Sequence, residues 1–143
     1  MGERPDHEVI CERLGTLEFP WDIERALEFA LFRTYAVPSI SGLLARTGEF
    51  ERRTRKRYDD TVLLLGEIGE NGLESARGAA AVARMNAMHG AYRIANEDML
   101  YVLSTFVFEP ERWVERWGRR PFTEAELSAG FAYYRALGAR MGI

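Results

Sequence analysis

The chain has 143 residues, 47% of them hydrophobic and 29% charged, with a formal net charge of −3 and a single cysteine. One cysteine excludes a disulfide framework, a four-cysteine zinc site and covalent haem attachment through a C-x-x-C-H motif. No apolar run reaches about 18 residues, which excludes a transmembrane helix, and the acidic balance argues against general nucleic-acid binding.

The expected fold is all-α and a single domain over residues 1–143. Met1 to His7 is polar, with no apolar h-region after it, so residues 1–13 are expected to be loose and the protein cytoplasmic. Pro20 opens the first helix, with Asp22 and Glu24 suited to the positive end of its dipole and Ile23, Leu27, Ala30, Leu31 and Tyr35 on its apolar face. Pro38 ends that helix. A short one capped by Ser39 or Ser41 follows and stops at Gly48. A longer helix is expected from Glu49 to Ile68, with Phe50, Thr54, Arg57, Thr61, Leu64, Leu65 and Ile68 on one stripe, broken by Asn71-Gly72. An alanine-rich helix spans about Leu73 to Tyr92. Asn96 reads as an N-cap for an apolar helix that Pro110 interrupts. A short amphipathic piece then carries Trp113 and Trp117. Thr123 with Glu126 forms a capping-box pattern for a last helix, Glu124 to Leu137, followed by Gly138. Residues 139–143 read as a connection, so the domain is expected to be truncated at its C-terminus.

Few residues can carry chemistry. His7 lies in the polar start and reads as solvated. His89 shares a helix face with Val82, Met85 and Tyr92, so periodicity places an imidazole toward the interior. It is either a core histidine bonded to a carbonyl or an axial ligand to haem iron. Gly78, Ala79, Ala80, Ala81, Ala83, Ala87, Gly90 and Ala91 make its helix thin enough for a flat group or another backbone to approach. No second histidine or Glu-x-x-His pair supports zinc or di-iron. Arg57 and Thr61 are four apart on the inward stripe. A buried arginine needs an anionic or accepting partner: a propionate, a substrate oxygen, or a carboxylate such as Asp59, Asp60, Glu97 or Glu109. The basic run Arg52 to Arg57 spreads around the helix and reads as a solvated start with one inward arginine. Arg84 is off the His89 stripe, with salt bridging as its default role. Cys11 lies in the loose segment, and no G-x-S-x-G elbow or phosphate-binding glycine loop occurs.

The run Ala83-Arg-Met-Asn-Ala-Met-His89-Gly-Ala-Tyr92 and the stretch from Ile94-Ala-Asn-Glu-Asp98 through Phe108-Glu-Pro110 resemble the oxygenase MpaB family, which shares its catalytic domain with rubber oxygenases. Phe19-Pro-Trp-Asp22, Ala36-Val-Pro-Ser39, Lys56-Arg-Tyr-Asp-Asp-Thr61 and Leu137-Gly-Ala-Arg-Met-Gly-Ile143 agree with it. The resemblance implies a helical domain holding haem b, with His89 as the iron ligand and Arg57, Arg84 and Tyr92 about the cofactor. It implies catalytic roles for Arg57 and Thr61; Asp60, beside that threonine, is read separately as a proton-handling group. Dioxygen and an apolar, isoprenoid-type alkene would be the substrates. Rubber oxygenases of the closed type carry a lysine just before the threonine. Asp60 stands there, so lysine ligation at that position is excluded. A non-catalytic helical packing or partner-binding module is the alternative.

Overall fold

The computed structural model describes residues 4–143 and is all-α, with eight α-helices and no strand among them. These are α1 (Asp6–Arg13), α2 (Pro20–Thr34), α3 (Pro38–Thr47), α4 (Glu49–Arg52), α5 (Thr54–Asn71), α6 (Ala76–Gly90), α7 (Asn96–Trp117) and α8 (Glu124–Met141). A π-helical turn, Leu14–Glu18, continues α1. Three pairings build the body: α2 along α7, α1 along α8, and α5 along α6. No helix of the described residues is long and apolar enough to cross a membrane.

Residues 6–13 are helical, where the sequence reading has a loose segment; residues 1–3 lie outside the described residues. Polar ties hold α1, which is why hydrophobic periodicity gives no sign of it. Glu8, only 3% exposed, accepts the Leu73 N–H at 3.3 Å and pairs with Arg4 at 3.6 Å. Arg4 also reaches Glu12 at 2.6 Å and the Gly69 carbonyl at 2.8 Å. The segment thereby strapped down carries Cys11 against the core of Ile68, Leu73, Val82, Tyr133 and Leu137. Burial, then the charge of Glu8, pushes its thiol up to about 12. Cys11 is thus expected to resist alkylation at pH 8 until the chain unfolds, because the thiolate is the nucleophile. Stability should fall as pH rises above the unfolded thiol value near 9, where the unfolded chain alone releases the proton. Native-state labelling at the rate of a free thiol would refute this burial.

Other boundaries shift for identifiable reasons. Pro20 and Pro38 do open helices, each in the first turn. Gly48 ends α3 with φ +65°, a left-handed value suited to glycine. Neither Ser39 nor Ser41 caps α3: Ser39 donates to Asp98 at 2.9 Å and Ser41 to the Val37 carbonyl at 3.1 Å. The helix expected from Glu49 divides at Arg53, whose φ of −141° leaves the helical region. Asn96 is the first residue of α7 and makes no cap bond; Ala95 precedes it as N-cap. Pro110 does not interrupt α7. It is buried inside a continuous helix, between Thr105 and Val114. Burial along that face, and an ion pair of Glu109 with Arg33 of α2 (2.5 Å) and with Arg112 (2.7 Å), oppose the roughly 3 kcal/mol that an internal proline costs.

The buried stripe of α2 is Ala26, Ala30 and Thr34. Below it Leu14, Phe19 and Val114 form a second core, with Phe19 edge-on to Phe122 at 5.3 Å. The Thr123–Glu126 capping box forms at the start of α8. That helix runs past Gly138 to Met141 and ends at Gly142, whose φ is +77°; at Gly138, Leu103 of α7 fills the space a Cβ would take. Three further glycines sit in helix interiors with no such neighbour: a Cβ at Gly66, Gly69 or Gly130 would meet nothing within 4 Å, as is also true of Gly90, the last residue of α6. Each of the three costs its helix about 1 kcal/mol relative to alanine.

Candidate functional site

The α5–α6 hairpin carries the candidate residues. Ser75 starts α6, its hydroxyl accepting the Gly78 N–H at 2.8 Å, which shortens the helix expected from Leu73. From there the 3.6-residue repeat turns Ala81 and Val82 into the core and leaves Ala79, Ala80, Ala83, Ala87 and Met88 exposed. His89 follows on the inner side, half-buried, on the last turn of α6.

Its Nδ1 is buried and has no hydrogen-bond partner among the described residues. The carbonyl-bonded core histidine is therefore not what forms. Burial, and then the positive charge of Arg57, hold the imidazole below its usual range. Both effects favour the neutral ring, the form that ligates metals.

Arg57 lies across from it on α5. Its Nη1 donates to the Thr61 hydroxyl, which in turn donates to the Arg57 carbonyl at 3.1 Å. The guanidinium also sits over the Phe50 ring, 5.4 Å from its centroid. No carboxylate pairs with it among the described residues. Asp59 bonds Arg55, Asp60 bonds Lys56, and Glu109 bonds Arg33 and Arg112. An aromatic face and one hydroxyl leave most of the donors of Arg57 free for an anionic or accepting ligand.

Asp60 stands beside this pair. The hydrogen bond from Lys56, and then the charges of Arg84 and Arg57, hold its carboxyl below the usual carboxylate range. It is thus a paired, ionised group near neutral pH, able to accept a proton and without one to deliver. Arg84 is exposed and contributes charge at Asp60 without an ion pair. Tyr92 lies beyond the end of α6. Its backbone N–H meets the His89 carbonyl at 3.0 Å, and its side chain is 46% exposed with no hydrogen bond into the cluster. The fold thus gathers His89, Arg57, Thr61, Asp60 and Arg84, and leaves the Tyr92 side chain outward.

One neighbour escapes the sequence reading as a site residue. Tyr35, at the end of α2, stacks edge-on against Phe50 with centroids 5.6 Å apart. Burial raises its phenol and the charge of Arg57 opposes that rise, which places it in the field of the same guanidinium. Its only signal in sequence is an apolar-face position, and the pairing exists only once α2 and α4 meet.

Among the described residues no three His, Cys, Asp or Glu side chains converge as a metal cage. A single imidazole with an unpartnered Nδ1, near an arginine that no carboxylate pairs with among the described residues, fits a different requirement. Haem supplies four ligands itself and brings anionic propionates.

The chain is 38% identical, over its whole length, to two proteins of Penicillium brevicompactum named ER-bound oxygenase mpaB and mpaB′. It is 37% identical, again over its whole length, to the ER-bound oxygenase mpaB of Penicillium roqueforti. It spans 38% and 36% of the first two relatives and 51% of the third. No family model matches the chain, and no solved structure does. Matched from end to end at this level of identity, the chain is similar to part of the MpaB oxygenases.

Proposed function

We propose that this chain forms the haem-ligating part of an oxygenase acting on a carbon–carbon double bond of an apolar, isoprenoid-type substrate. The observation that carries the reading is the buried Nδ1 of His89, left without a partner beside the unpaired Arg57. The oxygenase names of the relatives support the reaction class.

When bound, haem would supply the iron chemistry that activates dioxygen. His89 would hold it, as a neutral donor whose protonation is opposed by burial and by Arg57. Arg57 would bind an anionic edge, using guanidinium donors that no carboxylate occupies. The Phe50 ring lies against that guanidinium, and the Tyr35 phenol stands in its field. The Thr61 hydroxyl orients Arg57 through their mutual hydrogen bonds. Asp60, kept ionised by Lys56, can take up a proton but starts with none to give.

The test is a titration of the purified chain with haemin, followed by absorbance. A Soret band that saturates at one haem per chain is expected. A chain that stays colourless while circular dichroism reports it folded overturns the haem reading.

A further inference from the structure

We propose that the half-open cavity lined by α1, the π-helical turn, α2, α5, α7 and α8 is a binding site for an uncharged apolar molecule. The cavity has a volume of about 310 Å³, within the range of small-molecule sites. Its walls include Ile23, Leu27, Leu65, Phe106 and Phe131. None of His89, Arg57, Thr61 or Asp60 lines it, so the site is separate from the proposed haem ligand.

The glycines argue that this space is kept open. Gly66, Gly69 and Gly130 all line the cavity. Each is inside a helix, none has positive φ, and a Cβ on any of them would meet nothing within 4 Å. Neither backbone conformation nor packing therefore calls for glycine at these positions, and alanine would strengthen the helices. What the three share is the cavity they floor. Bare backbone there lets a ligand lie directly against α5 and α8.

The chemistry of the lining selects the ligand. Tyr134, stacked on Phe106 with centroids 6.0 Å apart, lines the cavity, and its hydroxyl makes no hydrogen bond among the described residues. It is free to donate to a neutral oxygen. Glu111 also lines the cavity, half-buried and with no ion-pair partner among the described residues; Glu70 is exposed and lies in the field of Arg77, and Glu12 and Glu126 are neutralised by Arg4 and Arg120. The unpaired carboxylate of Glu111 repels an anionic head, so an alcohol is accepted where a fatty acid of the same length is disfavoured.

The experiment uses the full chain without haem and the neutral fluorophore N-phenyl-1-naphthylamine. Probe fluorescence should rise on binding. Dodecanol should displace the probe, and dodecanoate should do so at least about tenfold less well. Gly66→Ala with Gly130→Ala should raise the Tm and weaken probe binding. Gly66→Leu should abolish it. A variant that is more stable and yet binds less separates a filled site from a damaged fold. The proposal is overturned by no probe binding, by affinity unchanged in both glycine variants, or by dodecanoate competing as well as dodecanol.

Discussion

His89→Ala is expected to lower haem affinity by about 100-fold or more and to remove the Soret band at equimolar haem. The magnitude follows from the donor's position: losing a partner that merely orients a ligand already costs about 10- to 100-fold, and here the ligand itself is lost. Imidazole added to the solvent should restore much of the band, because the truncated side chain leaves room for it. The wild-type band should persist below pH 6.5, since burial and Arg57 hold the ring neutral there. The sign for folding is opposite. A ring that binds fewer protons folded than unfolded lowers stability as pH falls through 6.5. His89→Ala should therefore flatten the acid limb of the stability profile of the haem-free chain. A variant with an unchanged Soret band, in both height and position, would remove His89 from the site.

The second large effect is structural. Gly78→Ala should destabilise the chain by about 3 kcal/mol or more, a drop in Tm of about 10 °C, read by thermal or urea unfolding. A Cβ at Gly78 would stand 1.9 Å from the Gly72 carbonyl oxygen and 2.9 Å from its carbon. Those are backbone atoms of a turn held at φ +87° and tied by the Leu73 N–H to the buried Glu8. The turn has little freedom to retreat, so α6 would have to move, and with it His89. The alanine substitutions at Gly66 and Gly130 make the contrast, because there the same added carbon meets open space. An unchanged unfolding midpoint in Gly78→Ala would show that α6 does not begin against the Gly72 turn.

The helical class and most helix starts were legible because their signals are local. Pro20, Pro38 and the Thr123–Glu126 box each act within one turn of chain. The candidate pair Arg57 and Thr61 was legible for the same reason: a spacing of four puts both on one face, where they hydrogen-bond. Resemblance singled out His89, and periodicity put it on the inner side of its helix.

Sequence alone determined the all-α class, the order of the helices and the shared face of Arg57 and Thr61, since each depends on neighbours a few residues away. Tertiary structure decided what local pattern leaves open. It turned the polar N-terminus into a helix, because Glu8 finds Leu73 across 65 residues. It carried α7 straight through Pro110, because burial and the Arg33–Glu109 pair outweigh a lost hydrogen bond. It left Arg57 without a paired carboxylate among the described residues by committing Asp59, Asp60 and Glu109 elsewhere. Contacts between distant segments settle such choices, and their energies rival or exceed the propensities that a linear reading can sum.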